Sequence, residues 1–279
     1  MTERAAEDKD AEYRTDLAGQ LTYSRYLALD RLLDCQRPVS DSHDELLFIA
    51  IHQATELWLK VMLHELRAAR DRVIADELQP AFKMLARVSR IQAQLIQSWD
   101  VLSTLTPADY LAFRHKLGPA SGLQSHQYRV LEFLLGNKEP AILAVHRHTP
   151  EIHDELAAEI GKPSLYDEVV RLLARRGLAI AQGCLERDWT RPYRPDETVR
   201  HAWRSVYQGS ERYWDLYELA EELVDLEDWS RQWRFRHQTT VERIIGHKPG
   251  TGGSAGVGYL KGRLEVCYFP ELWQIRTDL

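Results

Sequence analysis

Apolar residues recur three and four positions apart over much of this chain, the spacing that places them on one face of a helix. From Leu21 through Leu117 there is no glycine, and proline occurs only at Pro38, Pro80 and Pro107. Such a stretch reads as helices joined by short turns, because glycine and proline are the residues that most weaken a helix interior. The segment "SHDELLFIAIHQATELWLKVMLHELRAARDRV" (42–73) predicts one long helix, with Leu46, Ile49, Leu57, Leu63 and Leu66 on its apolar faces. Ser42 and Glu45 have the spacing of a capping box at its start. A second helix is expected over about 80–103. A third is bounded on both sides, by Thr106 as cap, Pro107 at the first helical position, Asp109 in the first turn and Gly118-Pro119 as the stop. Further helices are expected at about 124–135, 164–187 and 196–208, and the longest at about 210–245, ended by Gly246.

The only strand candidate is "LEVCYF" (264–269), while "HRHTPEIHDE" (146–155) reads as a loop. No internal repeat or low-complexity tract is visible. The expectation is an all-α chain: a flexible tail over 1–18, then a single large helical domain over 19–279 that begins with an N-terminal helical arm. Composition changes this picture little, since 44% hydrophobic and 28% charged residues are ordinary for a globular protein. A formal net charge of −6 argues against a nucleic-acid or membrane-surface partner. The longest strongly apolar run, "LLFIAI" (46–51), is too short to cross a bilayer. Cys35, Cys184 and Cys267 lie far apart and form no CxxC pair, zinc spacing or CxxCH haem-attachment motif, a usage that fits a reducing cytoplasm. The charged stretch "MTERAAEDKDAEYRTDLAG" has no apolar core and so is expected to be neither signal peptide nor anchor.

"GHKPGTGGSAGVG" (246–258) holds six of the fifteen glycines. Gly250, Gly252 and Ala255 match a loose dinucleotide fingerprint, but that motif needs a strand before it and a βαβ unit after it. Here a helix precedes, and Lys261 lacks the flanking glycine and hydroxyl of a phosphate loop. The segment therefore reads either as a long surface loop or as a mobile flap over a ligand.

Two histidines stand on apolar helix faces: His52 with Phe48, Thr55 and Leu59, and His237 with Trp233, Val241 and Ile244. Either alone fits a satisfied core position; the two together, on separate long helices, also suit a non-covalent haem pocket. Tyr110 and Arg114 share one face of the short helix, where Arg114 suits a substrate carboxylate or an ordinary surface ion pair.

The motifs "FIAIHQATELWLKVMLHEL", "LTPADYLAFRHKLGPASGLQSHQYR", "EFLLGN", "WRFRH" and "IIGHKPGTGGSAGVGYL", in this order, resemble those of tryptophan 2,3-dioxygenase. The resemblance runs from about Leu21 to the C-terminal "FPELWQIRT". It implies an all-helical homotetramer with one haem b per subunit, ferrous when active, that inserts O2 across the indole C2–C3 bond of L-tryptophan to give N-formylkynurenine. His237 would be the axial ligand of the iron. His52 would face the indole N–H, Phe48 would pack on the ring, and Ile49, Ala50 and Ile51 complete that stretch of the site. Arg114 would bind the substrate carboxylate, Tyr110 line the pocket, Thr251 contact the ammonium and carboxylate, and Ser121 lie near the haem. The arm "LTYSRYL" would bring Tyr23, Tyr26 and Leu27 to a neighbouring subunit's site. Relatives can carry Lys-Arg-Gly where this chain has Lys248-Pro249-Gly250, and proline fixes φ and removes a donor there. Other readings left open are a non-catalytic haem sensor or carrier, a haem dioxygenase for a substituted indole, and a helical scaffold whose histidines are all structural.

Overall fold

The computed structural model describes residues 13–279, so most of the tail expected over 1–18 lies outside the described residues. Thirteen α-helices and three short 3-10 helices make up the described chain, with no strand among them. Contacts divide it into two units, one ending at Pro38 and one spanning Val39–Leu279. The first holds α1 (Tyr23–Leu27) and α2 (Leu29–Leu32), joined at Ala28 in the left-handed region with φ 50°. Thr22 caps α1 through the Arg25 N–H, and Leu21, Tyr23, Tyr26 and Leu27 are exposed.

The second unit carries α3 (Glu45–Ile74), α4 (Leu78–Leu102), α5 (Pro107–Arg114), α6 (His126–Leu134), α7 (Pro150–Ile160), α8 (Leu165–Arg175), α9 (Gln182–Leu185), α10 (Glu197–Gln208), α11 (Trp214–Ile245), α12 (Val257–Arg263) and α13 (Pro270–Gln274). The long helix α4 lies against both α3 and α11. Its sequence explains this: Leu78, Phe82, Leu85, Val88, Gln92, Leu95, Trp99 and Leu102 recur at three and four and are all buried. Polar contacts fix the register, Gln92 donating to Ser230 at 2.6 Å between α4 and α11, and Arg87 pairing with Glu65 at 2.5 Å between α4 and α3.

The long helices fall where spacing predicts them, and the Thr106–Asp109 capping box of α5 is present as read. Other local expectations need correction. Ser42 does not cap α3. Glu45 turns back instead to accept from the Val39 N–H (2.7 Å), the Ser40 N–H (2.9 Å) and the Ser40 hydroxyl. "HRHTPEIHDE" is not a loop, because Pro150 and Glu151 begin α7. The stretch predicted as one helix over 164–187 breaks after Arg175. "LEVCYF" forms no strand: the Tyr268 and Phe269 N–H groups, which a ladder would use, donate to the buried Glu227 carboxylate of α11 at 2.8 and 2.9 Å. Glu227 also accepts from Trp273 Nε1, so one carboxylate pins the C-terminal segment to α11.

Alone among the described helices, α3 has the length and apolarity to cross a bilayer, although no single apolar run in it does. Leu59, Met62, Leu63 and Leu66 of this helix are buried in the main core.

Candidate active site

A second, smaller apolar cluster stands apart from the main core. It gathers Trp99 and Leu102 of α4, Leu105, Tyr110 and Phe113 in and before α5, and Ile244 of α11, with Phe48 and Ile51 of α3, Leu117, Trp233 and Ile245 packed around them. Three long helices and one short one thus build this cluster from residues up to about 200 positions apart.

His52 reaches this cluster from α3. Its ring lies 4.3 Å from the Phe48 ring, and its Nδ1 is 2.6 Å from the Phe48 carbonyl one turn earlier. A carbonyl can only accept, so Nδ1 carries the proton and Nε2 is left with a lone pair. Burial holds the His52 pKa below the usual 6.5, against the raising effects of the Phe48 carbonyl and Glu56. The neutral ring is therefore a hydrogen-bond acceptor at Nε2.

His237 enters from α11. Trp99 stacks on it, with ring centroids 4.6 Å apart and planes 14° from parallel, and Trp233 lies 5.1 Å away at 43°. No described residue hydrogen-bonds to the His237 ring. Burial, then the proximity of His52 and Arg129, pushes its pKa down to about 4, so this ring also keeps a lone pair at neutral pH.

At the polar edge, Tyr110 is buried against Phe48 (5.6 Å) and Phe113 (5.3 Å). Its hydroxyl pKa is raised by burial, with Arg114 opposing. Arg114 donates through Nη2 to the Pro249 carbonyl, while its buried Nε has no partner. Thr251 donates to the Ala120 carbonyl. The glycine segment thus lies as a flap against α5 and the turn before Ser121, and a cavity of about 340 Å³ opens beside it, lined by Leu111, Arg114, His115, Gly118 and Thr251. Close approach explains one glycine here: a Cβ on Gly252 would fall 2.6 Å from Ser121 Cβ. The Ser121 hydroxyl accepts from the Leu123 N–H at 3.3 Å and caps a 3-10 turn.

A family model for tryptophan 2,3-dioxygenase matches residues 7–206 and 204–279. A tryptophan 2,3-dioxygenase of Bacillus cereus (strain ZK / E33L) is 57% identical over 265 residues, 95% of each chain. One from Polaromonas sp. (strain JS666 / ATCC BAA-500) is 56% identical over 277 residues, 99% of this chain and 94% of the relative. One from Burkholderia ambifaria (strain MC40-6) is 59% identical over 264 residues, 95% and 86% of the two chains. The chain belongs to the tryptophan 2,3-dioxygenase family.

In this tryptophan 2,3-dioxygenase family member, Phe48, Ile51 and Tyr110 belong to one apolar cluster, His52 and His237 touch its rings, and the flap with Thr251 lies against Ser121 and Arg114. Ala50 is exposed, and Ile49 is half-buried without joining the pocket cluster, as a helix that turns by 100° per residue requires. Tyr23, Tyr26 and Leu27 belong to the N-terminal unit, where their side chains are exposed. Trp99 and Leu102 were not singled out by sequence, because only the packing of α4 on α11 reveals their partner.

The residues around this cluster suit a haem in two respects. His237 offers a deprotonated nitrogen without a competing partner. The buried donors Trp99 Nε1, Trp233 Nε1 and Arg129 Nε lack acceptors, which a group bearing carboxylates can provide.

Proposed function

We propose that the chain is a haem-dependent dioxygenase that inserts both atoms of O2 across the indole C2–C3 bond of L-tryptophan, giving N-formylkynurenine, and that it acts in the cytoplasm as a homotetramer. The observation that carries this reading is the pair of neutral imidazoles, His52 and His237, on separate long helices and electrostatically coupled beside one apolar cluster. Arg114 with its free Nε, and Thr251 on the flap, supply the recognition that an amino-acid substrate needs at the edge.

His237 would hold haem b through its free ring nitrogen, and the haem, when bound, supplies the iron that activates dioxygen. The protein's own part is positioning. His52 Nε2 accepts the indole N–H, which fixes the ring edge, while Phe48 and Ile51 give it an apolar face. Indole is a very weak acid and His52 a weakened base, so this hydrogen bond orients the ring and leaves the N–H in place. Arg114 exchanges the Pro249 carbonyl for a substrate carboxylate, a stronger acceptor for a guanidinium. Thr251 turns from the Ala120 carbonyl to the ammonium and carboxylate, so that the flap closes on the amino-acid end. Holding the reacting carbons in this way is catalysis by proximity. The arm of one subunit, through Tyr23, Tyr26 and Leu27, completes the neighbour's site.

The test is an optical spectrum of the reduced protein with and without L-tryptophan, followed by admission of O2. A haem spectrum that shifts with tryptophan, then formylkynurenine absorbance, is expected. A haem spectrum indifferent to tryptophan would leave a carrier or sensor, and turnover of a substituted indole alone would reassign the substrate. His237→Ala is expected to lose haem, measured as the haem-to-protein ratio, and a normal ratio would refute the axial assignment.

A further inference from the structure

We infer that Trp99 is a positioning residue for the axial histidine: its indole, flat against His237, fixes the imidazole plane by stacking on it. The inference rests on the reading that His237 binds the haem iron. Metal-ligating histidines almost always donate their second ring N–H to a carboxylate, carbonyl or water, which holds the ring's rotation and raises its basicity. No carboxylate or carbonyl of the described residues accepts from the His237 ring. Glu132, a carboxylate of neighbouring α6, is engaged instead by Arg129 (2.7 Å), Arg263 (3.0 Å) and Asn137 (3.0 Å).

What touches the ring is aromatic. Trp233, one turn back on α11, meets it at a tilt, but Trp99 meets it nearly parallel at 4.6 Å. An offset stack of this kind resists rotation about the Cβ–Cγ bond, because turning the imidazole drives its edge into the indole face. Trp99 is itself immobilised. It is buried with Leu102, Leu105, Phe113 and Ile244, and the sequence neighbours of the two rings, Asp100 after Trp99 and Arg236 before His237, form an ion pair that clasps α4 to α11 beside the stack. Gln92 and Ser230 hold the same two helices two turns further along. The stack constrains orientation without adding negative charge, so the imidazole stays a neutral, moderate donor. That suits a haem kept ferrous to meet O2.

Full-length Trp99→Met and Trp99→Phe are compared with wild type, His237→Ala and Trp203→Phe, the last altering a fully buried indole of the main core. Haem dissociation constants and the iron–histidine stretching frequency of the ferrous protein are the readouts, with far-UV circular dichroism for folding. Trp99→Met is expected to weaken haem binding about 10–100-fold, the usual cost of losing an outer-shell partner, and to move the stretching frequency. Trp99→Phe, with a smaller flat face, is expected to weaken it several-fold, and Trp203→Phe to leave both readouts unchanged. A folded Trp99→Met with wild-type affinity and frequency would overturn the inference, as would an equal loss in Trp203→Phe. If Trp99→Met does not fold, wild-type values for Trp99→Phe overturn it. If His237→Ala binds haem normally, the axial assignment fails first. If His237→Ala loses haem while Trp99→Met keeps it, only the role of Trp99 fails.

Discussion

One backbone contact sets the chemistry of His52. Because the Phe48 carbonyl accepts a hydrogen bond from Nδ1–H, the tautomer and the free acceptor both follow from the i to i−4 geometry of the helix. Arg114 is a different case, since its face was legible from the four-residue spacing to Tyr110 but its role was not. The structure shows a guanidinium with one arm on a flap carbonyl and a buried Nε without a partner, the state of a group prepared for a second acceptor. Hydrogen bonds to charged groups contribute about 1.5–3 kcal/mol, so Arg114→Ala is expected to raise KM for tryptophan about 10–100-fold, with a smaller change in kcat. Steady-state kinetics check this, and unchanged KM would remove the carboxylate role. Arg114→Lys is expected to recover only part of the loss, because an ammonium cannot fork onto a carboxylate.

At the scale of elements, α3, α4, α5 and α11 were legible because their apolar positions keep one period, with the Thr106–Asp109 capping box opening α5 and Gly246 closing α11. Gly246, with φ 59°, ends α11 as the sequence suggests. What was not legible depended on contacts from elsewhere: the donors of "LEVCYF" satisfied by Glu227, Glu45 folding back on Ser40, and Trp99 meeting a histidine 138 positions away. The flap was visible in its glycines, yet only the structure separates one that permits motion from one that permits contact. Gly252 is of the second kind, so Gly252→Ala is expected to lift the flap from Ser121 and raise KM several-fold with little change in melting temperature. Restored KM in the Gly252→Ala/Ser121→Gly double variant would localise the effect to that contact, and its absence would refute the mechanism. A second element depends on a buried charge. Lys138 is fully buried and donates to the Ile160 (2.9 Å) and Lys162 carbonyls at the end of α7, and burial, opposed by Asp167, lowers its pKa from 10.5 to about 8. The unfolded chain keeps this proton up to about 10.5 while the folded chain releases it near 8, so raising pH through that window favours the fold. Relative to Lys138→Met, wild type is expected to gain up to about 3 kcal/mol of stability between pH 8 and 10.5, at 1.36 kcal/mol per pKa unit. Parallel denaturation midpoints for the two proteins across this range would show that the lysine is not so perturbed.

At the scale of the molecule, apolar surface remains that a single chain does not cover. Leu46, Leu57, Trp58 and Val61 of α3 are exposed, although that helix also carries His52 and core residues. In the N-terminal unit, Leu21 before α1 and Tyr23 and Tyr26 on α1 are exposed, and α1 and α2, of five and four residues, are too short to be stable by propensity alone. Exposed apolar side chains on a marginal element are the pattern of a segment that gains its order from a partner. If that partner is the site of a second copy, two defective chains can repair each other. A chain with Tyr23→Ala and Tyr26→Ala has an intact pocket but a deficient arm, whereas Arg114→Ala has a deficient pocket but an intact arm. Co-expressed and purified as mixed oligomers, the two are expected to show more activity than the sum of the separate proteins, because some pockets with Arg114 receive an intact arm from the other chain. Sedimentation must first show that each variant retains the wild-type oligomer, so that a lost assembly is not mistaken for a lost arm. Activity no greater than the parental sum, in mixed oligomers of wild-type size, would mean that each arm serves its own chain or none.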